Sequence, residues 1–360
     1  MKHVVVAHDK GKWCAVPANN GCNGPVWQWG DEILIGYTQG TADFTKPGHQ
    51  VDYINPHESY LARSKDGGET WETWKPSDFV GNAGYLKEDA VPLHEAIDFT
   101  SPGFAMRVEG FGYHGNAGHH WFYSEDKGGS WKGPYTFGNL LEHPELAGRE
   151  FTGRTAYLVN ASSEMFLFLS VRDSEGIKLE VSTSDKVFLA KTTDGGMSFD
   201  FVSWVVPPSD PHRAVMPAPV RMSETELLAT IRRKDREGVC WIDCYGSQDN
   251  GESWAFLSRV GETGGSNGNP PAMVKLEDGR VCCVYGNRDD SLMIARTSAD
   301  GGNSWGPEQI IRDGLQSRNG HPDLGYPRLF QRTDGNMVAT YFWCSPDKPE
   351  THIAATIFEP

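Results

Sequence analysis

Four arginines occupy matching positions in four similar segments of the chain. Arg107 ends the apolar run in FAMRVEG, Arg172 ends FLFLSVR, Arg232 falls in LLATIRR and Arg288 ends VCCVYGNR. A guanidinium presents a planar fork that fits a carboxylate or a sulfate. Four of them around one axis repel one another unless an anion sits among them. The simpler alternative pairs each with a nearby acid at a blade junction, as Glu109 could pair Arg107 and Asp173 could pair Arg172. Histidines add a second chemistry. Of the 12 in the chain, His49, His57, His94, His114, His119, His120, His212 and His321 fall in the segments expected near the arginines. Arginine can neutralise a uronate carboxylate and acidify the C5 proton, which His or Tyr then removes.

The elements that must hold these residues are visible as a repeat. An octapeptide, Ser/Thr-x-Asp-x-Gly-x-Ser/Thr-Trp/Phe, begins at Ser64, Ser124, Thr192, Ser247 and Ser298. Its Asp can accept hydrogen bonds from nearby backbone N–H groups, its Gly permits positive φ, and its aromatic ring can pack on the next sheet. This is a structural turn, not a catalytic one. Around the octapeptides run six hairpin-like segments: GPVWQWGDEILIGYTQ, AIDFTSPGFAMRVEG, TAYLVNASSEMFLFLSVR, PAPVRMSETELLATIRR, PAMVKLEDGRVCCVYGNR and YPRLFQRTDGNMVATYFW. The last unit lacks one strand, which the N-terminal HVVVAH can supply. The expectation is an all-β chain, a single six-bladed β-propeller domain over residues 1–360. Its blades are four-stranded and antiparallel, and the N-terminal strand closes the ring.

Composition agrees and excludes alternatives. There are 41 Gly and 22 Pro, as a turn-rich chain requires, and 12 Trp argue against disorder. The net charge of −15 disfavours a duplex nucleic-acid binder. No apolar run approaches the roughly 18 residues of a membrane helix. Seven cysteines do not form a disulfide framework, and Cys240 and Cys244 in VCWIDCY are expected to be buried thiols on one strand face. No His/Cys spacing indicates a metal, and no cofactor is implied. The N-terminus lacks a signal-peptide core, so the expected location is cytoplasmic, or exported with a leader removed. Oligomeric state is open.

Five Asp boxes in six blades resemble the sialidase (neuraminidase) superfamily, over essentially the whole chain. The resemblance implies three arginines on a substrate carboxylate, a tyrosine nucleophile assisted by a glutamate, and an aspartate acid/base on a first-blade loop. By position it assigns two of the arginines to Arg232 and Arg288, and the nucleophile to Tyr326 in DLGYPRLF. The acid/base falls on Asp43 in TADFTKPGHQVDYINPHES, with Asp52 as second choice. A neutral phenol suits this work, because an anionic nucleophile would be repelled by an anionic sugar.

The chain departs from that pattern in two places. CNGPVW puts Asn23 where the first arginine belongs, and HRAVMPAP offers His212 and Arg213 where a glutamate is expected. Arg107 and Arg172 are the replacements for the lost arginine, and Glu95 or Glu150 for the lost base. Arg154 and His94, at first-strand starts like Asn23, complete the expected substrate-binding set. The expected function is a glycosidase that removes a terminal acidic sugar, sialic acid or a relative, from a glycan partner. Two alternatives stand beside it: a uronate-directed lyase using His or Tyr with Arg, and a glycan-binding propeller without catalysis.

Overall fold

The computed structural model describes residues 1–15, 27–46, 48–55, 57–77, 89–109, 120–152, 155–173, 185–265 and 267–360. They form six antiparallel sheets arranged as the blades of a propeller. Blade 4 shows the standard unit, with strands Arg213–Arg221, Leu227–Lys234, Cys240–Ser247 and Ala255–Glu262 in spatial order. Blade 5 repeats it with Ala272–Lys275, Val281–Asn287, Leu292–Ser298 and Gln309–Arg312. Blade 6 consists of Gly325–Gln331, Met337–Trp343 and His352–Phe358, and its outer strand is Lys2–Ala7. That pairing, Val4 opposite Ala355, closes the ring through the two chain ends.

Each blade buries apolar side chains against its neighbour, so the core is divided among six blade junctions. Blades 1 and 3 each carry a fifth strand: blade 1 is built of Lys12–Ala15, Trp27–Trp29, Glu32–Thr41, Glu58–Ser64 and Glu72–Trp74, and blade 3 of Arg149–Phe151, Ala156–Val159, Met165–Asp173, Lys186–Thr192 and Asp200–Trp204. Ile33, Tyr37, Phe330 and Phe342 fill the junction of blades 6 and 1, for example, and Phe166, Leu189, Ala229 and Tyr245 that of blades 3 and 4. Cys14, Cys240, Cys244, Cys282, Cys283 and Cys344 are buried free thiols inside these layers.

The second blade differs from expectation. It has three strands among the described residues, Ala105–Glu109, His120–Ser124 and Lys132–Tyr135. AIDF does not form a first strand there. Ile97 donates its N–H to Gly195 O and Phe99 to Ser162 O, both in blade 3. Asp98 also accepts from Thr100 N and Oγ1, which turns the chain where a strand would continue.

All five octapeptides make the same turn. In the fourth, Asp249 Oδ1 accepts from Ser253 N and Oδ2 from Ser253 Oγ, while Ser247 Oγ accepts from Gly251 N. The second glycine of the first octapeptide, Gly68, has φ +90°, and a Cβ there would come within 2.9 Å of Val338 in blade 6. The turn thus needs a glycine both for its backbone and for its seat against the neighbouring blade.

These turns predict the acid limit of the fold. The Ser253 hydroxyl and N–H, with the Ser247 hydroxyl, hold the Asp249 carboxyl down at about 2, and Ser304 and Ser298 do the same for Asp300. A folded-state value below the unfolded value of about 3.9 gives stability that is present above pH 4 and lost as pH falls toward 2. The melting temperature should therefore drop steeply over that window. Asp249→Asn should make the drop shallower. An unchanged acid-unfolding curve would remove Asp249 from this account.

Candidate functional site

The second strands of blades 3 to 5 run toward the face opposite the Asp boxes. Arg172, Arg232 and Arg288 stand at or just beyond their ends, and all three are buried. Arg232 is 2% exposed. Its Nε donates to Asn267 O at 2.8 Å, and Nη2 donates to the same oxygen. Its Nη1 lies 3.2 Å from Met216 Sδ and 3.3 Å from Tyr326 Oη. None of these acceptors is a carboxylate, and no described carboxylate pairs with Arg232. Arg288 donates to Gly268 O at 3.1 Å and to Pro322 O at 3.5 Å. The Asn267–Gly268 turn therefore lies between the two guanidinium groups.

Local backbone distortion aims Met216 and Tyr326 at Arg232. Each has positive φ, +62° and +53°, and each precedes a proline. Each also sits where strand register slips, between Val215 and Ala218 and between Gly325 and Arg328. The residue before proline ordinarily adopts extended backbone, and positive φ is costly for a large side chain. Two such bulges facing one arginine mark a strained site of the kind found where function demands it. Tyr326 is further fixed by stacking on Phe342, with ring centroids 5.7 Å apart.

Gly325 makes the Tyr326 bulge possible. It has φ +125°, and a Cβ there would overlap the Asn269 amide. Asn269 is itself completely buried. Gly325→Ala should thus displace Asn269 or relax the bulge, lowering stability by about 1–3 kcal/mol and turning Tyr326 away from Arg232. A thermal melt and the activity of the variant, measured together, check this. An alanine tolerated in both would remove the requirement for glycine.

Other expected residues have different settings. Arg172 does not pair with Asp173, which bonds Arg149 at 2.8 Å. It forks onto Asp185 instead, Nε to Oδ1 at 2.7 Å and Nη2 to Oδ2 at 3.2 Å, and Arg213 joins the same carboxylate at 2.5 Å. Burial would raise the Asp185 acid, but Arg213 and Arg172 outweigh it and hold it ionised. Arg107 is buried in blade 2, over the Phe122 ring at 5.9 Å. Asn23 and Arg154 lie outside the described residues, as do the side chain of Glu109 and all of His114 and His119.

His94 and Glu95 are not with the arginines. They are exposed, next to Ala96, which packs against Gly195 of the third Asp box. The backbone of this segment is held beside the third Asp box by the bond from Ile97 N to Gly195 O. Asp43 is in the expected loop, but its carboxylate caps a turn, accepting from Thr45 Oγ1 at 2.6 Å and Thr45 N at 2.9 Å. These bonds lower its acid below the ordinary range. Asp52 is lowered in the same way by the N–H of Ile54 and the side chain of Asn55. Carboxylates held ionised like this are poor proton donors to a leaving oxygen.

Asp323 is the residue that sequence reading missed. It lies three residues before Tyr326 and is completely buried. Oδ2 accepts from Trp13 Nε1 at 2.9 Å and from Thr351 Oγ1, and Oδ1 faces His49 Nδ1 at 2.5 Å. Burial alone would raise this carboxyl, yet attraction to His49 and the hydrogen bonds from His49, Thr351 and Trp13 hold it well below the carboxylate range. His49 comes from the same loop as Asp43. Its ring also meets His321, Trp13 and Phe342, with centroids 5.7 to 5.9 Å away. His49, His321 and Asp323 are the one group of potential cation ligands among the described residues. Both Asp323 oxygens are already hydrogen-bonded, and the positive charge of Arg288 acts on His321. The group therefore reads as a hydrogen-bonded dyad with a neighbouring imidazole. A cavity of about 350 Å³ lies elsewhere, between the inner strands and toward the hairpin turns, bordered by Arg221, Lys275 and Met273.

The BNR repeat-like domain family matches residues 104–339. No curated protein sequence matches the chain. Among solved structures, a protein of unknown function from Dyadobacter fermentans is similar with a TM-score of 0.70 and 18% identity, covering 99% of this chain and 97% of that one. The Hadza microbial sialidase Hz136 is similar with a TM-score of 0.61 and 14% identity, over 96% of this chain and 66% of that one. An alpha-L-arabinanase of Penicillium chrysogenum, complexed with arabinobiose, has a TM-score of 0.58 and 14% identity, over 100% and 98%. At these identities the likeness is one of fold.

Proposed function

The chain belongs to the BNR repeat-like family, and from that footing we propose that it is a glycoside hydrolase acting on a glycan with a terminal anionic sugar. The observation that carries this reading is Arg232, a buried guanidinium with no described carboxylate partner, its Nη1 against the hydroxyl of a strained tyrosine. A buried cation satisfied by neutral acceptors is completed by an anionic ligand. Arg288, across the Asn267–Gly268 turn, adds a second positive charge beside the same place.

Tyr326 is the proposed nucleophile. As its phenol proton passes to solvent water, Arg232 offers positive charge to the phenolate oxygen, which then bonds the anomeric carbon while the glycosidic oxygen leaves with its bonding pair. The names of the structural neighbours divide the sugar question, since one is a sialidase and another an arabinanase. The arginines favour the acidic sugar here.

The test is product analysis. The protein is incubated with sialylated, uronate-containing and neutral arabinan glycans, and products are weighed by mass spectrometry. Release of an acidic monosaccharide with one added water supports the reading. Release of neutral arabinose alone overturns the anionic part of it. The Asp323–His49 pair favours a second reading, a lyase in which an oriented imidazole removes the C5 proton of a uronate. An unsaturated product without added water would establish that reading instead.

A further inference from the structure

Resting on the hydrolase reading, we propose that His49, clamped by Asp323, is the proton-transferring residue of this site in place of Asp43. The geometry is that of an oriented general acid/base. Asp323 is ionised, buried and anchored at Oδ2 by Trp13 and Thr351, so only Oδ1 faces the imidazole. An ionised acceptor requires that Nδ1 keep its hydrogen, which leaves Nε2 as the nitrogen that exchanges a proton. The His49 side chain is 34% exposed, so this second nitrogen has access to solvent and ligand.

The loop that carries His49 is pinned to the segment that carries Tyr326. Asn319 Nδ2 donates to Lys46 O at 2.7 Å and to Gly48 O at 3.0 Å. Asp43 N donates to Gln50 O. His49 and Tyr326 pack against one phenylalanine, Phe342. Arg288 bonds Pro322 O, next to Asp323. The imidazole, the phenol and the arginine are thus tied to one short stretch, His321 to Tyr326. Asp43, by contrast, spends its carboxylate on its own loop.

The proposed step balances without any further reagent. Nε2–H of the imidazolium gives its proton to the glycosidic oxygen as the anomeric C–O bond breaks, that oxygen keeps the bonding pair, and Tyr326 Oη bonds the anomeric carbon as its phenol proton passes to solvent water. The neutral imidazole then takes one proton from the water whose oxygen displaces Tyr326 from the anomeric carbon, and the departing phenolate recovers a proton from solvent. One water is consumed and His49 ends protonated, as it began. The titratable and charged groups facing His49 are Asp323 and His321, with Arg288 beyond it, and its own loop carries the Asp43–Lys46 ion pair. The phenol of Tyr53, raised by burial and by Asp323, adds no charge.

The test compares His49→Gln with wild type on two substrates of one sugar. On the natural linkage the variant should lose about 100- to 10,000-fold in kcat. On a dinitrophenyl glycoside, whose leaving group departs without a proton, glycosidic cleavage should be largely kept. The decline of kcat at alkaline pH should also disappear in the variant. Equal losses on both substrates, or an unaltered pH profile, would overturn the role and leave His49 a packing residue. So would a near-normal His49→Gln together with an inactive Asp43→Asn. Activity lost on chelation and restored by zinc would overturn it too, by making His49 a ligand. Inactivity of the wild type on every glycan is a distinct outcome. It overturns the hydrolase reading, and the proton-transfer role falls with it.

Discussion

Replacement of Tyr326 by phenylalanine is expected to lower kcat by about three orders of magnitude or more while leaving the fold intact, as loss of a catalytic nucleophile does in other enzymes. The substitution deletes one oxygen. The ring that stacks on Phe342 remains, and so does the backbone bulge before Pro327. The melting temperature should therefore change little. Arg232 loses one acceptor but keeps Asn267 O, so its position should hold. Substrate affinity should then survive the loss of turnover. A variant that binds an unhydrolysed acidic glycan at near wild-type strength, yet fails to turn it over, separates chemistry from recognition. Near-normal turnover would exclude the nucleophile role and leave Tyr326 as a packing aromatic held in an uncommon backbone conformation.

The architecture was legible because its signal is local and repeated. Ser247, Asp249, Gly251, Ser253 and Trp254 build their turn from one another, so the residue types alone specify it. Five copies make a ring, and the pairing of Lys2–Ala7 with His352–Phe358 follows from the missing strand. The places of Arg232, Arg288 and Tyr326 in the blades were readable for the same reason, since each occupies a fixed point in a repeated hairpin, whereas their roles came only from the resemblance. AIDF misled because its alternation is that of a strand, whereas its backbone donors go to Gly195 and Ser162 of the next blade. His94 and Glu95 precede this segment and stand exposed beside the third Asp box rather than at the start of a strand.

The acids that organise the arginine face were not legible. Asp185 is chosen by Arg172 and Arg213, from the second strand of one blade and the first strand of the next. Asp323 is chosen by Trp13, His49 and Thr351, brought together only when the ring closes. Such pairings depend on burial, which strengthens a few contacts and makes every unpaired charge expensive. Nothing in PDLGYP marks Asp323 apart from its nearness to Tyr326. The bulges at Met216 and Tyr326 were equally silent, because a residue before proline suggests extended backbone.

Arg232→Lys tests whether the arginine recognises the anion or only steadies the tyrosine. A lysine ammonium is a compact point charge and cannot reach Asn267 O, Met216 Sδ and Tyr326 Oη from one planar group. Losing a forked contact to a charged group costs about 1.5–3 kcal/mol, which raises KM roughly 10- to 150-fold. Comparing the acidic substrate with its carboxamide analogue divides the two roles. If Arg232 grips the carboxylate, the carboxamide should be far poorer than the acid for wild type, and the gap should nearly close in Arg232→Lys. If Arg232 serves only to place Tyr326, kcat should fall alike on acid and amide, and the gap should persist. The second result would transfer anion recognition to Arg288 and leave Arg232 as a positioning residue, so this double comparison decides which arginine meets the sugar.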